Sequence, residues 1–222
     1  DHRDLHSVPT RRSSDLQVQI LPEIGLTFAR CLRSILRQDP DIVMVGEIRD
    51  LETAQIAIQA SLTGHLVFTT VHTNDAPSTI ARLVDLGLET FLITAAIEGV
   101  VAQRLVRRIC TNCKTEFEPT DQMLMEIGLN PSEVGDKKFF YGKGCDMCHK
   151  TGYKGRVGLF EIMTFNDELR ERIMQNASTG VIREVAKKNG MKTLREKGLG
   201  LVFDGITTIE EVAKETLAAE AD

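Results

Sequence analysis

Two C-x-x-C pairs, Cys110-Thr-Asn-Cys113 and Cys145-Asp-Met-Cys148, flank a segment in which glycine and lysine replace the aliphatic runs found elsewhere. Two knuckles of this form can bring four thiolates together in tetrahedral geometry, which suits Zn²⁺. Four thiolates leave no open coordination position, so such a site is structural. Two disulfides or four free thiols are the alternatives, and a cytoplasm that keeps thiols reduced disfavours the first. His149 adjoins the last knuckle, but four cysteines already complete a ligand set. Cys31, in a helical apolar stretch, reads as a buried small side chain.

A second group of residues could act on phosphate. The run "DIVMVGE" carries Glu47 just past four consecutive aliphatics, and "HLVFTTVH" ends on His72. In open α/β sheets a ligand sits outside the carboxyl ends of the strands. A carboxylate there can hold Mg²⁺ through water or orient an attacking water, and an imidazole can donate to a γ-phosphate as its charge redistributes. The plainer reading is that Glu47 caps the next helix and His72 satisfies a turn.

The elements that must position these residues follow from periodicity. "QVQIL" alternates as a short strand, and "LTFARCLRSILRQDPD" places Phe28, Leu32, Ile35 and Leu36 at helical spacing, with Thr27 as cap and Pro40 as stop. The continuous apolar run Ile42 to Val45 predicts a strand covered on both faces of a parallel sheet. Leu51 to Leu62 reads as a helix stopped at Gly64, and "HLVFTTVHTND" as the next strand, together a βαβ unit. Asp75 and Pro77 open a helix that Gly87 ends, and Thr90 to Arg108 reads as a longer helix. "GRVGLFEIM" is one more strand. Four helical segments follow, with Thr208 and Glu211 at capping-box spacing in the last. The expected organisation is a core over 17–108, a cysteine-bearing insert over 109–153, and a strand with helices over 154–222.

Bulk properties exclude some functions. With 42% apolar and 27% charged residues the chain is of ordinary globular composition, and a net charge of −5 argues against non-specific nucleic-acid binding as its main task. No apolar stretch is long enough to span a membrane, and no basic head leads into an apolar segment. A soluble cytoplasmic chain is expected. The head, residues 1–16, has no initiator Met and no apolar period. It reads as a disordered tail and resembles a translated cloning adapter, so His2 and His6 are set aside as ligands.

The stretch "LRSILRQDPDIVMVGEIRDLETAQIAIQASLTGHLVFTTVHTNDAPSTIARLVDLG" resembles the Walker B and His-box region of the ATPases that drive type II secretion and type IV pilus assembly. The resemblance runs from Gln17 nearly to the end of the chain. It implies an α/β fold, the carboxyl-terminal part of a RecA-like P-loop core, followed by a tetracysteine zinc insert and a helical subdomain. It implies that Glu47 is the Walker B acid that polarises the hydrolytic water and supports Mg²⁺. His72 and His65 would sense the γ-phosphate, Arg49 would lie beside them, and Arg33 and Arg37 would reach a neighbouring subunit's nucleotide. For these arginines an ion pair at the sheet edge or a solvated helix face is the simpler role.

The implied partners are ATP, five further copies in a homo-hexamer, and a platform protein of the inner membrane, with no nucleic acid. The tetracysteine pattern resembles assembly and secretion ATPases rather than retraction ATPases, and the tail is closer to the pilus assembly branch. No G-x-x-x-x-G-K-[ST] string occurs in the sequence. The expectation is that the phosphate cradle lies upstream of Gln17 in a longer protein, and that the isolated chain is inactive. A zinc-ribbon module that binds nucleic acid or protein, using Lys137, Lys138, Phe139, Phe140 and Tyr141, is the alternative.

Overall fold

The computed structural model describes residues 16–216. Residues 1–15 and 217–222, which hold most of the head expected to be disordered and the end of the last expected helix, lie outside the described residues. The chain divides into two compact units, with the boundary between Val71 and His72. The block expected over 17–108 is therefore shared between them.

In the first unit, α1 (Phe28–Leu36) starts where the sequence predicts: the Thr27 hydroxyl accepts from the Arg30 amide at 3.3 Å, a cap worth about 1 kcal/mol. Strands β1 (Ile42–Val45) and β2 (Leu66–Thr69) pair in parallel, Ile42 opposite Leu66 and Val45 opposite Thr69. Helix α2 (Leu51–Leu62) joins them, and Gly64 stops it at φ +102°, a conformation costly for other residues. The βαβ unit is as expected.

Two expectations for this unit fail. "QVQIL" forms no strand; only Leu21 makes an isolated bridge, to Leu26. Alternation sets which face of a strand is apolar, but a strand also needs a ladder partner, and residues 17–20 have none. β1 is covered on one face, not both. Val43 and Val45 are buried, whereas Ile42 and Met44 are exposed, as are Leu66 and Phe68 opposite them. Helix α2 packs against β2 and α1, and among the described residues the exposed side chains of Ile42, Met44, Leu66 and Phe68 leave the second face uncovered.

The second unit opens with α3 (Ser78–Asp85) and α4 (Thr90–Ala96). The long helix expected over Thr90 to Arg108 is interrupted: after α4 the chain extends as β3 (Gly99–Ile109), antiparallel to β6 (Tyr153–Thr164). The helix already ends at Ala96, where Ile97 turns extended at φ −90° and ψ 125°, and Val100, Val101 and Val106 favour a pleated surface once β6 offers a partner. On this two-stranded sheet Val106, Leu159 and Met163 are buried, and Val101, Leu105, Phe160 and Ile162 are exposed.

Between β3 and β6 lies the insert, with β4 (Lys114–Phe117) antiparallel to β5 (Phe139–Gly142) and α5 (Asp121–Glu126). The four expected helices follow as α6 (Asp167–Met174), α7 (Thr179–Lys188), α8 (Leu194–Phe203) and α9 (Ile209–Thr216). The insert is not independent of them. Leu124, Ile127 and Phe139 share one buried cluster with Val202, Ile209 and Val212. The full capping box is at Thr193 and Glu196; at Thr208 and Glu211 only half forms, because the Glu211 carboxylate is spent on Arg107.

Candidate functional site

Each residue of "GEIRD" has a distinct task. The Gly46 carbonyl accepts from the Thr70 hydroxyl at 2.6 Å, and the Ile48 amide donates to the Thr70 carbonyl at 3.1 Å, which continues the pairing of β1 and β2 past their ends. Ile48 is buried and anchors the turn. Asp50 caps α2, accepting from the Thr53 amide at 2.8 Å and its hydroxyl at 3.0 Å. The cap is therefore Asp50 and not Glu47. Glu47, beyond the carboxyl end of β1, accepts from Arg49 Nε at 2.7 Å; the carboxylate is 20% exposed and the arginine 70%. The acid is thus held at the strand end while still open to solvent.

The histidines are placed differently. His65 precedes β2 and lies at the amino edge of the sheet, where the amide of the next residue donates to Asp41. Its Nδ1 donates to the Ala60 carbonyl at 3.0 Å, closing the end of α2. The parallel strands put Glu47 at the opposite edge, so the structure does not bring these two side chains together. β2 ends at Thr69, so His72 is not on the strand; it is exposed on the loop that opens the second unit. Arg33, on α1, and Arg37, the residue that caps its carboxyl end, are both exposed, and Arg33 pairs with Glu52 at 2.5 Å.

The four cysteines do converge. Sγ of Cys110 lies 3.9 Å from Cys145, that of Cys113 lies 3.9 Å from Cys148, and Cys145 and Cys148 are 3.7 Å apart. All four ligand atoms are within 4.8 Å of one another, and none is in a disulfide. A tetrahedron with metal–sulfur bonds of ~2.3 Å has sulfur–sulfur edges of ~3.8 Å, so the cluster fits a metal ion. Cys148 Sγ accepts from the Cys145 amide at 3.2 Å and the Gly152 amide at 3.3 Å, and Cys145 Sγ accepts from Asn112 at 3.3 Å.

These donors favour thiolates. The Cys145 amide, with Gly152 beside it, outweighs desolvation and brings the Cys148 thiol down to about 6. The Asn112 amide lowers that of Cys145. Desolvation pushes Cys113 up to about 12, so a cation is what would hold all four deprotonated.

Glycines let the knuckles close. A Cβ on Gly142 would lie 2.1 Å from the Gly152 carbonyl oxygen, and Gly144 sits at φ +88°. Gly142→Ala is expected to cost about 1–3 kcal/mol in denaturant unfolding, because backbone and not a flexible side chain must move. The insert's aromatics are engaged within the second unit: Phe139 is buried against Phe203 of α8, Phe117 meets Tyr141 edge-on, and Lys114 covers Phe140.

The Type II/IV secretion system protein model matches residues 6–214. The chain belongs to that family. Within the secretion-system family it is 52% identical over 201 residues to a type IV pilus assembly ATPase PilB of Thermus thermophilus, covering 90% of this chain and 23% of that protein. A type II secretion system protein E of Xanthomonas campestris is 46% identical over 200 residues, covering 90% and 35%. The chain thus spans well under half the length of these relatives. The pilus retraction motor PilT with bound ADP shares the fold at a TM-score of 0.58 and 28% identity, covering 86% of this chain and 44% of that one.

The mixed α/β fold expected of the family is present, and among the described residues only β1 and β2 pair in parallel. Among the described residues no helix is long and apolar enough to cross a membrane. Sequence reasoning missed a polar group around the His72 loop, formed by the buried Asp75 and Glu161 with the partly exposed Arg183. From the sequence Asp75 reads only as a helix opener. Glu161 sits at an inward position of a strand that otherwise buries Leu159 and Met163, and that mismatch was its one signal.

Proposed function

We propose that this chain is part of a hexameric motor that hydrolyses ATP to power type IV pilus assembly or type II secretion, working in the cytoplasm against a platform protein of the inner membrane. The observation that carries this reading is the 52% identity to a pilus assembly ATPase over 90% of the chain. Glu47 is read as the acid that orients the attacking water and supports Mg²⁺ bound with ATP. His72 is read as the donor to the γ-phosphate, with Arg49 holding Glu47, and Arg33 and Arg37 as cations offered to a neighbour's nucleotide. His65 keeps a supporting place in this reading, since its Nδ1 already closes α2.

The ion held by Cys110, Cys113, Cys145 and Cys148 is proposed to be a structural Zn²⁺, which would supply cross-linking and no chemistry. Support comes from the four-sulfur donor set and its spacing. The alternative of a nucleic-acid-reading zinc ribbon is weakened by the aromatics of the insert, since Phe139 is buried, Phe140 lies under Lys114, and Tyr141, though exposed, meets Phe117 edge-on.

The test is steady-state hydrolysis by the full-length protein that contains this chain. Glu47→Gln is expected to lower kcat about 100-fold, and His72→Ala about tenfold, each with little change in KM. A kcat within twofold of the parent for Glu47→Gln would overturn the reading. The chain alone, which has no P-loop string, is expected to show no hydrolysis.

A further inference from the structure

The loop from His72 to Pro77 has no regular secondary structure, yet four of its consecutive residues are tied down. The Thr73 hydroxyl meets that of Thr79 at 3.0 Å. Asn74 accepts from Arg104 of β3, through its carbonyl at 3.4 Å and its side chain at 3.5 Å. Asp75, only 2% exposed, accepts from the Ser78 amide at 2.8 Å and from Arg183 of α7 at 2.6 Å. The Ala76 amide donates to Glu161 of β6 at 2.7 Å.

Glu161 has a second commitment. Also 2% exposed, it accepts from the Leu194 amide at 3.1 Å with its other oxygen. One carboxylate thus bridges the start of α3 and the start of α8, where two sets of unsatisfied amides and two helix dipoles favour negative charge. Buried carboxylates are tolerated only when so compensated. Each bond made here is charge-assisted and short-ranged, so it fixes position as well as energy.

We propose that Arg183 and Glu161 are positioning residues for His72, forming a latch through which helices α7 and α8 set the place of the histidine loop. The latch runs from Arg183 to Asp75, three residues after His72, and from Leu194 through Glu161 to Ala76. A movement of α7 or α8 that breaks either bond frees the loop, and movement of the loop loads both helices. If His72 contacts the γ-phosphate, as the proposed function has it, the latch is the route by which nucleotide state reaches the carboxyl-terminal helices. That last step rests on the functional reading; the latch does not.

The experiment uses the chain itself with ¹³C-labelled histidine. Arg183→Gln and Glu161→Gln are expected to shift and broaden the His72 imidazole signal and to speed amide exchange over residues 73–76 at least tenfold. The His149 signal should stay in place, and Arg183→Lys should restore most of the loss. Glu161→Gln can satisfy only one of the two amides, so it also tests the bridge should Arg183→Gln fold poorly.

An unmoved His72 signal with exchange within twofold of the parent would overturn the latch, whatever a hydrolysis assay shows. In the full-length protein, Arg183→Gln is expected to lower kcat about tenfold with KM unchanged. A loosened loop that leaves kcat intact would uphold the latch and sink the phosphate-sensing role of His72, so the two failures are distinguishable.

Discussion

Cys148→Ser is expected to reduce bound zinc from one equivalent per chain to less than half, and to unfold the insert with it. Cys148 would be the most consequential of the four proposed ligands, because its sulfur accepts from two backbone amides, Cys145 and Gly152, besides the contact it would make to the proposed ion. Those amides belong to both walls of the knuckle, so losing the thiolate frees more than one metal bond. Structural zinc in small domains contributes about 10–16 kcal/mol of apparent binding free energy, and one ligand of four carries a share of several kcal/mol. The effect should spread beyond the cysteines. Phe139, at the far end of the strand that leads into the second knuckle, is buried with Val202, Ile209 and Val212 of α8 and α9. Metal analysis with amide exchange across β4 and β5 tests this. Retention of a full equivalent with unchanged protection of Phe117 and Phe139 would rule out the tetrathiolate site. Chelation of the parent protein should reproduce the variant, and so should mild acid, since protons compete for the same sulfurs.

The parts of this architecture legible in the sequence are those whose signal is local. The C-x-x-C spacing alone locates the four sulfurs, because each knuckle is a short turn whose geometry its own residues impose. Thr27, Gly64, Asp75 and Gly87 mark helix ends for the same reason: a cap or a positive φ is decided within a few residues. Where structure depends on a distant partner, the pattern misleads. "GVVAQRLVRRI" can be read at helical spacing, and only β6, far along the chain, selects the extended form. The four aliphatics of β1 announce burial on two faces, but burial needs a second layer that the described residues of this unit do not supply. In the candidate site, Glu47 is found at a strand end as anticipated, while His65 goes to the opposite sheet edge and His72 to a loop. "HLVFTTVHTND" reads as a strand over residues 65–75, but β2 spans only Leu66–Thr69, which leaves both histidines off the strand. Glu161 and Arg183 were invisible because their partners are set by tertiary packing, not by spacing.

Glu211→Ala is expected to cost about 3 kcal/mol, the larger effect among the ion-pair substitutions, and to change how stability depends on pH. Glu211 is 4% exposed and accepts twice from Arg107: from its backbone amide at 2.9 Å and its guanidinium at 2.6 Å. Arg107 also lies 4.0 Å over the ring of Tyr153, whose hydroxyl meets Thr208 at 3.0 Å. These contacts fasten the base of the insert to α9, beside the first knuckle. The alanine variant leaves an amide without its acceptor and a guanidinium half exposed, so the guanidinium is partly rescued by water and the amide much less so. Glu211→Gln keeps one acceptor and should cost less than half as much.

The pH dependence distinguishes Glu211 from Glu161. Burial alone would raise the Glu211 carboxyl, but the two bonds from Arg107 hold it below its ordinary 4.5. Its contribution is therefore complete above about pH 4.5 and is lost as pH falls through the lower, folded value. Burial raises Glu161 above 4.5 despite the Ala76 and Leu194 amides, so its ionisation in the folded state works the other way: stability declines as pH rises from 4.5 through that raised value. Denaturant unfolding followed from pH 3 to 7 should then show a flatter acid limb for Glu211→Gln and the loss of a downward slope on the neutral side for Glu161→Gln. Parallel profiles for both variants and the parent would mean that neither carboxylate titrates differently on folding, and would remove the electrostatic account of both bridges.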